Sequence, residues 1–258
     1  MSLKLIQSIQ KATDLRLILP IGLNLALGDV ISVGQDGVFS LQGSCRSLVG
    51  VPPGSSRPPG AKVDFQQQAG EGTVCAFRAA GTASSLFPDV PHANAGFDIT
   101  LAAVDSWVLA LVGRQLTALD QIDHFREPIL NAYDRGVWRD DWALVTGVAT
   151  VNRMTLLASS SANTRVALSL GGQVAAAAPL EVSLTADASI VGMNQQLIKC
   201  ITVAPAVAFC TAIRVKSSWW ADPKIGQLRI TKGKSDPLAA SHDAFWEDVD
   251  VVYSRARH

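Results

Sequence analysis

From Leu180 to Ile190 the chain alternates without a break. Leu180, Val182, Leu184, Ala186, Ala188 and Ile190 take one side, and Glu181, Ser183, Thr185, Asp187 and Ser189 take the other. Successive side chains of a strand point to opposite faces, so an apolar residue at every second position encodes a strand that is dry on one face and wet on the other. A helix would scatter the same residues around its circumference. The period recurs where Val166, Leu168 and Leu170 alternate with Arg165, Ala167 and Ser169. It recurs again in the extended stretch Phe97 to Val112, which opens with Phe97, Ile99 and Leu101 against Asp98 and Thr100. Ile201 to Lys216 closes on Ile213 and Val215 against Arg214 and Lys216. With the Val-, Thr- and Leu-rich run Trp142 to Ala158 and the polar turn Ser159 to Asn163, these segments specify long hairpins.

Helical signals are fewer. Residues 2 to 14 spell a short amphipathic helix, with Leu5, Ile6 and Ile9 on one side and Lys4, Gln7, Ser8 and Lys11 elsewhere. A second helix is expected over about 117 to 134, where Leu119, Ile122, Phe125, Ile129, Leu130 and Tyr133 form a stripe, with Pro128 starting a fresh turn or kink and Gly136 ending it. Val30-Ile31 and Val38-Phe39, separated by Gly34, Asp36 and Gly37, read as a hairpin. Gly50 to Gly60 (GVPPGSSRPPG) is a Pro/Gly connector on the surface. No repeat of 20 to 50 residues and no domain linker interrupts the 258 residues.

Charge narrows the function classes. Lys and Arg total 22 and Asp and Glu total 22, with no basic stripe, so nucleic acid is not an expected partner. The balance is uneven along the chain. Asp236, Asp243, Glu247, Asp248 and Asp250 face only Arg255 and Arg257 in the last stretch, a net of −3, while the body carries +3. Cys45, Cys75, Cys200 and Cys210 form no C-x-x-C pair and have no histidine at metal-ligand spacing. Their apolar neighbours favour buried free thiols in a reducing compartment, two disulfides being the alternative. Lys4, Lys11 and Arg16 before the uncharged run Leu17 to Gly28 imitate a signal peptide. Pro20 and Asn24 interrupt that run, no cleavage site follows, and no segment has the ~18 apolar residues of a spanning helix. A protein made soluble and cytoplasmic is expected.

Signatures of catalysis are missing: no G-x-S-x-G, H-E-x-x-H, phosphate loop or dinucleotide-binding glycine pattern occurs. Of four histidines, His92 and His258 read as solvated. Asp123-His124 suggests half of an acid/base pair, but lies on the polar side of its helix, where solvation explains it. Asp140-Asp141 between Trp138 and Trp142 suggests a cation or sugar site, against the plainer reading of an exposed turn flanked by packing aromatics. Trp219-Trp220 suits a membrane boundary, core packing or docking of the tail. No enzyme activity, metal or cofactor is expected.

Amphipathic strands of this kind have one further use. A strand crossing a bilayer needs about 9–11 residues, apolar toward lipid and polar toward a wet lumen. Leu180 to Ile190 and much of Ile201 to Lys216 meet that pattern, as would any half-buried antiparallel sheet. Few charges, the small-residue run Ala175 to Ala178, and an acidic tail able to cover exposed strand edges favour the membrane reading. A non-enzymatic binding or structural β protein is the alternative.

Three stretches carry a resemblance: LGDVISVGQDGVFSLQGS from Leu27, AGFDITLAAVDSWVLAL, and YDRGVWRDDWALVTGVATVNRMTLLASSSANTRVAL. In residues and in order the chain resembles the bacterial gasdermins over most of its length. The resemblance implies an α+β fold, a twisted antiparallel β-sheet with surrounding helices in a single gasdermin-like domain. It divides the chain into a pore-forming body, 1–235, and a C-terminal autoinhibitory tail, 236–258. It implies an activating protease that cuts within Thr231, Lys232, Gly233, Lys234, Ser235, Asp236, Pro237 and Leu238 or just beyond, up to Ser241. Phe245, Trp246, Val249, Val251, Val252 and Tyr253 would dock the tail. The freed body would form a homo-oligomer in the inner membrane during antiphage cell death, with hairpins around 142–170 and 180–216 extending and Leu180, Val182, Leu184, Ala186, Ala188 and Ile190 facing lipid. Bacterial gasdermins commonly carry an acylated cysteine near the start, whereas the first cysteine here is Cys45. Lys4, Lys11 and Arg16 are the lipid-binding candidates in its place.

Overall fold

The computed structural model describes all residues except 35, 71, 80, 83–85, 87–94, 171–187, 195–196, 203–204, 219–220 and 228–258. Its elements are α1 (Leu3–Thr13), β1 (Arg16–Leu17), β2 (Asp29–Val33), β3 (Phe39–Ser44), α2 (Cys45–Val49), β4 (Val63–Ala69), β5 (Val74–Arg78), β6 (Gly96–Leu101) and β7 (Trp107–Ala118). A 3-10 turn at Asp123–Phe125 leads into α3 (Arg126–Asp134). Then follow β8 (Trp142–Val151), β9 (Arg153–Ser159), β10 (Thr164–Leu170), β11 (Ala188–Met193), β12 (Leu197–Thr202), β13 (Ala206–Ser218) and β14 (Ala221–Gln227). The described chain is mostly antiparallel sheet with few helices. It divides into two compact units, and the division falls inside β7 and β8 rather than at a linker.

The first unit takes Met1–Ser8, Ala61–Gln115 and Thr150–Ala206. Strands β4, β7, β9 and β12 lie side by side in that order, and a separate four-stranded sheet runs β5-β6-β10-β11. Phe97, Ile99 and Leu101 of β6 and Val166 and Leu168 of β10 turn one face of that sheet onto Val108 and Ala110 of β7 and Leu157 of β9. All eight are buried, the alternation having placed each on the dry face. On β7 and β9 the expected wet face is also covered, because Trp107, Leu109, Leu111, Leu156 and Ala158 are buried as well. A central strand covered on both sides reads as a continuous apolar run, which is how WVLAL and MTLLA are written.

The second unit takes Ile9–Gly60, Leu116–Ala149 and Val207–His258. Its sheet has a core on each face. Val30, Leu144, Ile213 and Val215 meet Phe125, Ile129, Leu130 and Trp138 from the α3 region. Ile31, Ala143, Val145, Cys210 and Ala212 meet Ile18, Leu25 and Phe39 on the other face. Neighbouring residues thus serve opposite cores, and the two-sided burial explains the valine-rich β8.

Three expectations need correction. Residues 117–122 are not helical, since β7 continues to Ala118 and helix begins only at the 3-10 turn. Backbone pairing decides this: the Leu119 N–H donates to the Thr146 carbonyl at 2.8 Å, and Arg57 N–H and Gly60 N–H donate to the Ala118 and Leu116 carbonyls. The stretch Phe97 to Val112 is two strands, broken by a turn whose Asp105 adopts φ 63. Ile201 to Lys216 is likewise not one strand, since β12 ends at Thr202 and β13 begins at Ala206. Helix α1, the β2–β3 hairpin and the polar turn after β9 stand where the sequence puts them.

Candidate functional site

The four-stranded sheet has two faces of different character. Register places Val74, Thr100 and Arg165 in one row, Ala76, Asp98 and Ala167 in the next, and Arg78, Gly96 and Ser169 in the last. Directly opposed residues share a face, so this is the small and polar side. The opposite side carries Cys75, Phe77, Phe97, Ile99, Leu101, Val166, Leu168 and Ile190, with the Phe77 and Phe97 rings edge to face at 5.5 Å. Val74, Ala76 and Phe77 on the edge strand β5 are exposed.

Within the polar face sits a buried ion pair. Arg78 Nε lies 3.4 Å from Asp98 Oδ1, with side-chain exposures of 4% and 6%. The guanidinium also donates from Nη2 to the Leu168 carbonyl at 2.8 Å, so one side chain ties β5, β6 and β10 together. Gly96 makes room for it. A Cβ built at Gly96 would come 1.9 Å from Leu168 O and 2.5 Å from Arg78 Nη2. Only a residue without a side chain allows β10 and the guanidinium to close over that point.

This clasp sits at one end of the sheet. Arg78 ends β5, Gly96 begins β6 opposite it, and Leu170 ends β10 opposite Ala188, the first residue of β11. Two connections therefore leave the same end, residues 79–95 joining β5 to β6 and residues 171–187 joining β10 to β11, seventeen residues in each. The hairpin regions named from sequence, 142–170 and 180–216, overlap β10 and β11 but do not include β5 and β6. The region 142–170 holds β8, β9 and β10, with only Asn152 between β8 and β9, and the region 180–216 takes in β11, β12 and most of β13.

Helix α1 offers the basic surface. Leu5, Ile6 and Ile9 are fully buried, which leaves Lys4 and Lys11 exposed at a spacing of seven residues on one helix face. Its start is fastened by Ser2, whose Oγ accepts from the Leu5 N–H at 3.1 Å and donates to Asp105 Oδ1 at 2.5 Å. Trp107 Nε1 donates to Ser8 Oγ at 2.9 Å, satisfying an indole that is wholly buried. Arg16 does not belong to this surface. It is 2% exposed in β1, opposite Cys210, with its guanidinium 4.8 Å from the Phe39 ring centre. Burial pushes Arg16 down to about 9, opposed by nearby Cys210 and assisted by Arg214. In this conformation it cannot meet a headgroup.

The remaining candidates divide plainly. Cleavage residues Thr231 to Leu238, tail residues Phe245, Trp246, Val249, Val251, Val252 and Tyr253, strand residues Leu180, Val182, Leu184 and Ala186, and Trp219-Trp220 lie outside the described residues. Ala188 and Ile190 lie in β11, with Ile190 half-buried against the core. Asp123 and His124 are exposed, His124 resting on Phe125 at 3.8 Å. Asp140 accepts from the Tyr133 hydroxyl at 2.7 Å, and Asp141 from Arg139 Nε at 3.1 Å, so the two carboxylates are engaged separately. Among the described residues no group of three His, Cys, Asp or Glu gathers for a metal. All four cysteines are free. Burial raises each thiol above its ordinary value, Cys210 to about 12 and Cys75 to about 11. No helix among the described residues is long and apolar enough to cross a membrane, which says nothing of strands.

The paired connections and the Arg78 clasp have no sequence motif. Register was the missing information, because only the pairing of β5 with β6 and β6 with β10 brings Arg78, Asp98 and Leu168 together. No protein-family model matches the chain, and no curated protein sequence does. Among solved structures, one similar to it is that of a bacterial gasdermin from Bradyrhizobium tropiciagri, 13% identical, with 88% of this chain and 91% of that chain covered and a TM-score of 0.33. That superposition is too loose to carry residues from one chain to the other.

Proposed function

We propose that the chain is a pore-forming protein, held inactive by its C-terminal segment and released by a protease, that assembles with copies of itself in the cell membrane without catalysis or cofactor. The observation that supports this most is the pair of adjacent hairpins, β5–β6 and β10–β11, apolar on one side and polar on the other, whose long connections leave one end of the sheet. The described strands have five, six, seven and six residues, too few to cross a bilayer. Sharing seventeen residues between two strands, less a tight turn, adds about seven to each. Strands of about twelve to fourteen residues exceed the ~9–11 that a membrane strand needs. Leu180, Val182, Leu184 and Ala186 keep step with Ile190, so lengthening β11 would continue its apolar side. The apolar face would leave Val108, Ala110 and Leu157 for lipid, and the polar face would line water. Closing a ring of such hairpins leaves no strand edge unpaired, as hydrocarbon requires. The resemblance supports the same reading, including cleavage at 231–241, cytoplasmic residence before it and an antiphage role.

Dye release from anionic vesicles tests it. A chain with a protease site inserted near residue 236 is expected to release dye after cutting and not before. A cut chain that stays folded and soluble while releasing nothing refutes the reading and leaves a β-rich binding protein.

A further inference from the structure

The Arg78–Asp98 pair is an expensive thing to bury. Both side chains are almost fully enclosed, and two charges taken out of water recover their hydration only through good geometry and further hydrogen bonds. Hydrophobic residues of similar volume at such sites often leave a protein as stable or more so. Arg78 sits in the last row of the polar face, where both connections emerge, and reaches back to Asp98 in the row before it, with Gly96 left bare to admit the guanidinium. Its position suits a part that works during conversion better than one that works in the resting fold.

We propose that Arg78 and Asp98 are the clasp of the two hairpins: paired and buried they hold the base of the sheet in register, and hydrated they favour the lengthened form. This rests on the pore reading. When β5–β6 and β10–β11 lengthen, the row Arg78, Gly96, Ser169 ceases to be the end of the sheet and becomes mid-strand, on the face that meets the lumen. The two charges then regain water, so hydration lost in the resting state returns as the hairpins extend. The guanidinium stays on the strand pair it already bridges, so register carries over from one form to the other.

The experiment uses the full chain carrying the inserted protease site, cut in the presence of anionic vesicles. Arg78→Met/Asp98→Leu is expected to keep or raise the urea midpoint of the uncut chain while slowing dye release about ten-fold or more. A purely structural pair predicts the reverse, a lowered midpoint with release undiminished. Should the Met/Leu variant not fold, Arg78→Gln/Asp98→Asn, neutral and of similar shape, is expected to release dye at least about three-fold more slowly than wild type. Arg78→Lys, which keeps the charge, is expected to release dye near the wild-type rate. Equal release by wild type and either neutral pair overturns the clasp while the pore reading stands. Failure of the cut wild type itself to release dye overturns both.

Discussion

Replacing Gly96 by alanine tests the clasp geometry without touching a charge. The new methyl carbon would stand 1.9 Å from the Leu168 carbonyl oxygen and 2.5 Å from Arg78 Nη2. An ordinary carbon–oxygen contact is more than 1 Å longer, so β6 and β10 must part or the guanidinium must leave, and the oxygen is backbone that cannot swing aside. Losing the Arg78 bond to Leu168, a charged donor on a buried carbonyl, costs about 1.5–3 kcal/mol, and one ladder bond adds about 1 kcal/mol. The expected loss is therefore about 2.5–4 kcal/mol. Gly136→Ala is the comparison, because that glycine has φ 70 and nothing within 4 Å of its added carbon. There only the left-handed backbone is penalised, by about 1–2 kcal/mol. With a urea slope of about 2 kcal/mol/M, the midpoints should fall by about 1.2–2 M for Gly96→Ala and about 0.5–1 M for Gly136→Ala. Hydrogen exchange should localise the first loss to β6 and β10. A Gly96 variant within about 0.5 M of wild type, or exchange unchanged in those strands, would refute the geometry.

Two other outcomes are expected. Lys4→Gln/Lys11→Gln removes both exposed charges of the α1 face, and at about 1 kcal/mol per basic residue should weaken binding of the cut chain to anionic vesicles by about ten- to thirty-fold, with neutral vesicles unaffected; equal binding would dismiss the helix as a lipid contact. The Cys210 thiol is raised to about 12 from 9.0, so the folded chain keeps a proton that the unfolded chain releases. Its contribution to stability is complete below about pH 9 and declines by about 1.4 kcal/mol per pH unit as pH rises toward 12. Arg16, pushed down to about 9, contributes in the opposite sense over the same range, so the thiol is read as the difference between wild type and Cys210→Ala. Urea midpoints at about pH 8, 9.5 and 11 should show any advantage of wild type over the variant shrinking along that course.

Alternation alone identified most of the sheet: β6, β10 and the second half of β13 have an apolar residue at every second position, and that is enough to orient a strand. It did not identify β4, whose VDFQQQA carries glutamines on both faces because none of its side chains is buried. Nor did it identify β5, where Cys75 and Phe77 alternate over only five residues. Helix α2 escaped because five residues cannot show a period; its signal was Ser44, whose Oγ accepts from the Ser47 N–H while Ser47 Oγ accepts from the Ser44 N–H. The stripe at 117–122 misled for the opposite reason. Leu119 and Phe125 do enter one core, but Leu119 reaches it from the end of a strand pairing with Thr146 and not from a helix. Buried Arg16 shows the limit of charge as a guide: a basic residue just after an amphipathic helix resembles its neighbours in sequence, and only pairing with Cys210 reveals that it faces inward.

The Pro/Gly stretch 50–60 acts as more than a connector. Arg57 and Gly60 donate to the carbonyls of Ala118 and Leu116, and the Asp120 N–H returns to Ser55, so the stretch lies along the strand end like a strand of its own. Pro52, Pro53, Pro58 and Pro59 have no N–H to offer anything beyond it. An incoming chain looking for a partner finds a row it cannot zip onto. A row without donors is a poor template for edge-to-edge pairing, so growth of ordered assemblies would fall to edges elsewhere on the molecule.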